Sequence, residues 1–522
     1  MAQQFSSEDS GSRSIHAHVP FSAQPQISDI KPNYDYIILG AGSAGCIVAA
    51  RLAAAFPYLS ILLVEAGDSI SPSNETVWNP REWALISKDR NLEWGYESTF
   101  QRNLSGRRIP MGRGKGMGGC SIHNAMVYVR GGAKGFNNWA AMGNQGWDYN
   151  SVVPYFQNVE NQMYITVASS DPFIAAMTNA CANLGIPYNP DYNQYVDQVC
   201  TSPFQYAISA NQRRETTDSV FLAAQFPNLD IATETLIKKI VVENLTAKAV
   251  ILHQADGEKE ISANREIILT AGAIGSAHTL MLSGIGNQRE LSQFGILPVT
   301  NLPGVGQNFQ DDLYVTTLFK SKQQMPDQPY GLMGTVIFAN SPTNNLGLGT
   351  DIECSLASGS MIGIGLTYPS YLIYPNIQLL RSRGTVTLSS ADPTIAPIID
   401  PNYLSAPGDM ENCLQALQLA RTIGANSALS AWFEEEVMPG PQWDNMLEEY
   451  IRQTAGTCYH YAGTCKMGID DMAVVAPDLR VRGVSNLRVI DSSIIPQTVS
   501  GNTAAATMMI ADKGSSLVIA GM

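Results

Sequence analysis

The chain has 522 residues, with 46 acidic against 32 basic side chains and a formal charge of −14. An acidic balance without a basic cluster argues against nucleic acid and against anionic membrane surfaces as partners. With 45% hydrophobic residues, 44 Gly and 28 Pro, it has the make-up of a loop-rich globular enzyme, long enough for roughly three domains' worth of core.

Residues 1–31 are rich in Ser, Gln and Pro and hold no apolar h-region, so a flexible tail is expected there rather than a secretory signal. On that basis the chain is expected in the cytoplasm, with the sequons at Asn74, Asn103 and Asn244 as chance matches. Eight cysteines (46, 120, 181, 200, 354, 413, 458 and 465) contain no CxxC and read as neither a disulfide framework nor a zinc pattern. No metal is expected.

Tyr34 to Leu39 is a short β-rich run that leads at once into Gly40-Ala-Gly42-Ser43-Ala44-Gly45. A helical pattern follows to Arg51, then Leu59 to Val64 as a second strand ending in Glu65-Ala66. Glu65 stands about 20 residues past Gly45, the spacing of a dinucleotide-binding βαβ unit. Gly40 permits the tight turn, Gly42 lets backbone approach a pyrophosphate, and Gly45 lets helix and strand pack closely. The helix N-terminus then offers free amides to the phosphates, and Glu65 can take ribose hydroxyls. This motif does not separate NAD from FAD.

A glycine-rich loop follows, Gly114-Lys-Gly-Met-Gly118-Gly119-Cys120-Ser121-Ile-His123-Asn124-Ala125. Leu229 to Val242, Ala247 to His253 and Glu260 to Leu269 read as a strand meander. The last strand runs into a second glycine turn at Ala271-Gly272-Ala-Ile-Gly275. Cys354 to Leu380 carries no charge after Glu353 but is broken by glycines and prolines, so it reads as buried strands and turns, not as a bilayer helix. Val489 to Asp491 and the run from Ala504 to Ala511 close the chain as strand plus buried helix.

Near the C-terminus stands Cys458-Tyr459-His460-Tyr461, and later Ser500-Gly501-Asn502-Thr503. Histidine is the one side chain that takes and returns a proton near neutrality without perturbation. The chain has only six, at 16, 18, 123, 253, 278 and 460. Asn502 offers an amide that can hold a substrate oxygen but cannot act as a base.

Together these segments resemble the glucose–methanol–choline (GMC) oxidoreductases from Tyr34 to the C-terminus. Further matches are Ser283-Gly-Ile-Gly286, Gly304-Val-Gly306 to Asp311, Ser382-Arg-Gly384 and Asp400-Pro-Asn-Tyr403. The second family signature is imperfect, with Ala277 and Thr279 at positions usually filled otherwise. The resemblance implies FAD and an α/β fold. A discontinuous Rossmann-like FAD-binding domain (32–146, 228–312 and 454–522) would carry an inserted α+β substrate domain on an antiparallel sheet (147–227 and 313–453).

It further implies oxidation of an alcohol to a carbonyl compound, with oxygen or another acceptor reoxidising the flavin. His460 would be the base that takes the hydroxyl proton, Asn502 would hold the oxygen, and flavin N5 would take the hydride. The cofactor contacts expected are Gly40, Gly42, Ser43, Ala44, Gly45, Glu65, Ala66, Gly118, Gly119, Ser121, His123, Asn124, Ala125, Ala271, Asp491, Asn502 and Thr503. His123-Asn124 resembles choline-oxidising members, in which this histidine is bonded covalently to the flavin, so covalent attachment through His123 is an expectation.

A choline substrate is not expected. Choline-type members place a carboxylate near Tyr314, a role left without an occupant unless Asp312 turns inward. Trp78, Trp83, Trp94, Tyr96 and Tyr459 could in principle cage a cation, but a neutral primary or benzylic-type alcohol is favoured. His460-Tyr461 is reminiscent of hydroxynitrile lyases, which carry histidine at both catalytic positions, and flavin photoenzymes share the fold. These two are the alternatives.

Overall fold

The computed structural model describes residues 30–521, apart from 87, 195–196, 328, 331, 333, 344–345 and 359–365. The expected tail falls almost wholly outside the described residues.

Two large sheets organise the chain. The first has seven strands, in the order Leu229–Ala232, Ile61–Val64, Asn33–Leu39, Gly257–Leu269, Thr246–Gln254 and Leu236–Glu243, with Leu487–Val489 also on Gly257–Leu269. Its centre is parallel. Ile61–Val64 is wholly buried and Asn33–Leu39 nearly so, as a sheet covered on both faces requires. Helix Gly45–Ala55 lies beside the C-terminal helix Thr503–Ala520.

Two expectations are corrected here. Leu229 to Val242 is not one strand of a meander. It breaks at Glu234, whose φ of +49° turns the chain, so that Leu229–Ala232 pairs in parallel with Ile61–Val64 while Leu236–Glu243 begins the antiparallel part. The final helix also runs well beyond Ala511, to Ala520. It accommodates polar residues because they are partnered. Asp512 pairs with Arg51 and accepts from Asn158 (2.9 Å), and the Lys513 ammonium lies 5.1 Å from the Trp147 ring centre.

The second sheet has eight strands and is antiparallel. Its order is Phe433–Met438, Thr317–Ser321, Ser370–Ile377, Ile352–Ser358, Thr335–Ala339 and Cys200–Pro203, with Leu313–Tyr314 bridging Ser370–Ile377 and Gly456–Thr457. The expected α/β architecture with an antiparallel second sheet is what the chain adopts. Helix Tyr149–Glu160, expected within the insertion, packs against the C-terminal helix. Among the described residues no helix is long and apolar enough to cross a membrane.

Candidate active site

The first glycine turn closes on itself. A Cβ on Gly45 would lie 1.8 Å from the Gly40 carbonyl oxygen, so helix and turn meet backbone to backbone. Gly42 instead faces Gly119 of the second glycine loop, whose own Cβ would fall 2.5 Å from the Gly42 Cα. Three helices start here, after Ala44, Ala271 and Asn502, and none is capped by a side chain. All three starts line one cavity of about 770 Å³. Three uncapped N-termini present amides and positive dipole ends to that space, a fit for the pyrophosphate of a dinucleotide.

Glu65 lies at the same cavity. Its carboxylate accepts from the amides of Ala41 (3.0 Å), Gly67 (2.9 Å) and Gly116 (3.2 Å), tying both glycine loops together. A carboxylate offers about four acceptor sites, so room remains for a ribose hydroxyl. Burial pushes its pKa up to about 7 against these amides. Asp491 accepts from the Gly272 amide (2.9 Å), the Ser276 hydroxyl (2.5 Å) and the Ser493 amide (2.8 Å).

Of the residues expected at the cofactor, Gly40, Gly42, Ser43, Ala44, Glu65, Ala66, Gly119, His123, Asn124, Ala125, Ala271, Asp491, Asn502 and Thr503 line the cavity. Gly45, Gly118 and Ser121 lie behind the lining. The Ser121 hydroxyl spans Gly118 O (2.7 Å) and the Thr217 amide (3.0 Å), holding the loop from behind. His123 Nε2 stands 3.3 Å from Glu93 Oε2, too skewed for a hydrogen bond.

His460 and Asn502 meet in the same cavity. Asn502 Nδ2 donates to His460 Nε2 at 3.0 Å, and His460 Nδ1 faces Asp312 Oδ2 at 2.9 Å. The two contacts agree on one tautomer, with the proton on Nδ1 toward Asp312 and a lone pair on Nε2. Asn502 is well suited to cap the helix it starts, yet its side chain is spent on His460. Its Oδ1 is buried without a partner, as is Asp312 Oδ1. Burial, the largest influence on His460, lowers its pKa. The Asp312 hydrogen bond and the charges of Asp312, Glu353 and Asp311 outweigh it, so the net shift is upward.

Asp312 therefore turns inward, but toward the imidazole rather than to a substrate cation. Its neighbour Asp311 holds the backbone of the same residue, accepting the His460 amide at 2.9 Å. It also takes hydroxyls from Thr457 (2.6 Å) and Tyr403. Tyr461, expected to matter as a departure beside the base, is buried with the Arg113 guanidinium 3.9 Å over its ring. Of the five aromatic residues weighed for a cation cage, Trp83, Trp94, Tyr96 and Tyr459 line the cavity. Trp94 stacks on Tyr96 at 5.7 Å, with Lys115 above it. Trp78 lies outside the cavity and donates to Ser71 O.

Arg113 and Arg214 are the functional candidates that sequence reading missed, and Asp312 was weighed there only for a substrate cation, not as the partner of His460. Arg214, buried, donates to Ser121 O (3.2 Å), Asn124 O (2.7 Å) and Asn124 Oδ1 (2.9 Å) and so clamps the His123–Asn124 loop. Burial lowers its pKa to about 9. The only local signal was the Asp311-Asp312 doublet. Nothing near Arg214 in sequence pointed to a loop about 90 residues upstream.

Residues 34–314 match one family model and residues 381–511 a second, both described as GMC oxidoreductase. Alcohol dehydrogenase (acceptor) of Pseudomonas putida is 33% identical over 535 residues, covering 93% of this chain and 96% of that protein. Oxygen-dependent choline dehydrogenase of Cronobacter sakazakii is 34% identical, covering 92% and 94%. The crystal structure of pyridoxine 4-oxidase from Mesorbium loti superposes with a TM-score of 0.86 at 28% identity, covering 93% and 99%. With both family models matched in order across most of its length, the chain belongs to the GMC oxidoreductase family.

Proposed function

We propose that this protein oxidises an alcohol to the corresponding carbonyl compound with bound FAD. The observation that carries the reading is His460 at the cavity shared with the glycine turns, its Nδ1 on Asp312 and its Nε2 lone pair facing Asn502. When bound, the flavin supplies the hydride acceptor. The Gly40–Gly45 turn would hold its phosphates, Glu65 a ribose hydroxyl, and the 118–125 loop and Gly501–Thr503 the ring system.

His460 Nε2 takes the hydroxyl proton as the C–H bond breaks, and Asp312 stabilises the imidazolium that forms. Asn502 orients the substrate oxygen beside Nε2. Segments 32–146, 228–312 and 454–522 would supply the cofactor side, and strands from 147–227 and 313–453 the substrate side. The named activities of the relatives above, each an oxidation, support this over a lyase or a photoenzyme, as does Asn502 in place of a second histidine.

The substrate is neutral. The acidic side chains lining the cavity are Glu65, Glu93 and Asp491. Glu65 and Asp491 are held by backbone amides; Glu93 Oε1 accepts from the Arg113 amide, while its Oε2, 3.3 Å from His123 Nε2, is buried without a hydrogen-bond partner among the described residues. The strands of the second sheet contribute uncharged side chains to the same cavity: Tyr314, Ser355, Leu372, Tyr374, Asn376, Met438 and Thr457.

The test is an alcohol panel, choline included, with flavin spectra and peroxide recorded together. Anaerobic bleaching by a neutral alcohol is expected, and its loss in His460→Ala. Full activity of that variant overturns the assignment, while aldehyde release from mandelonitrile without bleaching establishes the lyase. Peroxide tells oxygen from another acceptor.

Covalent attachment of the flavin through His123 is a second reading, favoured by a cavity-lining imidazole whose Nε2 is buried without a hydrogen-bond partner. Yellow colour wholly in the supernatant after acid precipitation overturns it.

A further inference from the structure

The side chains of the second sheet that reach the cavity form a pattern that general alcohol oxidation does not need. Ser355 and Tyr374 are directly paired across Ile352–Ser358 and Ser370–Ile377, and Asn376 is paired with Tyr314 across the next strand boundary. Side chains two apart on a strand share a face, so Leu372, Tyr374 and Asn376 point the same way, with Ser355 beside them. All four line the cavity that contains His460 and Asn502.

The hydrogen-bond count on this face is incomplete. Tyr371, on the opposite face of the same strand, donates to Gly424 O at 2.9 Å. Among the described residues the Tyr374 hydroxyl meets no hydrogen-bond partner; only its ring is engaged, edge-on to Tyr314 at 5.7 Å. Asn376 uses its oxygen, which accepts from the Cys458 thiol at 3.4 Å, while its NH2 has no partner among the described residues. Ser355 has only a long 3.5 Å contact to Glu353. The Tyr374 hydroxyl and the Asn376 NH2 thus open onto the cavity with no partner among the described residues, and each is available to bond a ligand that enters it.

The Cys458 contact fixes the direction of the strip. Cys458 lies two residues before His460, so Asn376 is the end near the base, and Tyr374 with Ser355 stands about 7 Å farther along the strand. We propose that Ser355, Tyr374 and Asn376 form a substrate subsite that reads a second hydrogen-bonding group, carried on the part of the substrate that runs along this strip away from the carbinol. The preferred substrate class is then an alcohol bearing a hydroxyl, carbonyl or ring nitrogen at its far end, not a plain hydrocarbon alcohol. This rests on the oxidation reading above and extends it to the part of the substrate that does not react.

The experiment compares 4-hydroxybenzyl alcohol with benzyl alcohol in turnover, and the two matching aldehydes in binding to the oxidised holoenzyme, followed by flavin difference spectra. The wild-type protein is expected to favour the hydroxylated member of each pair by at least about tenfold. In Tyr374→Phe and Asn376→Leu that preference is expected to shrink toward unity. Equal binding of the two aldehydes by the wild type, or an undiminished preference in both variants, overturns the subsite. Selective aldehyde binding without turnover of any alcohol supports the subsite and overturns the oxidation reading instead.

Discussion

Replacing Asp312 with asparagine isolates what the carboxylate does for His460. Asp312 is buried, and its Oδ2 lies 2.9 Å from Nδ1. The asparagine amide can meet Nδ1 with its NH2, which forces the ring proton onto Nε2 and leaves no base. It can instead present its oxygen, which keeps the tautomer but removes the charge opposite the imidazolium. Either way kcat is expected to fall about 10²–10⁴-fold, the range that a positioned general base contributes, or about 3–5 kcal/mol at 1.36 kcal/mol per decade. KM should change far less, since Asp312 is not on the cavity lining.

The pH profile carries the sharper signature. Activity requires neutral imidazole, so kcat/KM rises with pH through the pKa of His460. Burial lowers that pKa, while Asp312, then Glu353 and Asp311, raise it. Removing Asp312 withdraws the strongest of the raising influences, so the acid limb moves to lower pH while the plateau falls. Stopped-flow flavin reduction from pH 5 to 9, on protein with normal FAD content, is the assay. A kcat within threefold of wild type, or an acid limb displaced to higher pH, refutes the reasoning.

Four other outcomes are expected. Gly45→Ala drives a Cβ to 1.8 Å from Gly40 O and should yield unfolded or insoluble protein. Gly42→Ala meets nothing closer than 3.8 Å and should fold but retain less FAD; normal flavin content in soluble Gly42→Ala would remove the pyrophosphate from that turn. Arg214→Met should loosen the His123–Asn124 loop and speed FAD release; unchanged release in a dissociation assay would show the clamp to be dispensable. Burial pushes Glu65, Glu215 and Glu353 each up to about 7 and Asp311 to about 6. Acids with raised folded pKa values keep protons that the unfolded chain has lost, so their contribution to stability falls as pH rises. Apo-protein Tm should therefore decline from about pH 4.5 to 7, and a Tm that climbs across that window contradicts it.

What the sequence alone determined is local. Gly40, Gly42 and Gly45 between two apolar runs, with Glu65 at the end of the second, specify a βαβ turn because backbone freedom, strand period and helix start are all set by neighbours in the chain. His460 and Asn502 were legible through scarcity of histidine and through resemblance. The alternation that puts Tyr374 and Asn376 on one face was present in the residues, but not which face met the cavity.

Tertiary structure decided the rest. Asp312 and His460 lie 148 positions apart, and Arg214 reaches a loop 90 positions upstream. The register of Leu313–Tyr314 against Gly456–Thr457 brings the chain around Asp312 beside that around His460. A one-residue slip in that pairing would turn every side chain to the other face. Side-chain partners across sheets are products of register and packing, and no stretch of contiguous residues encodes them.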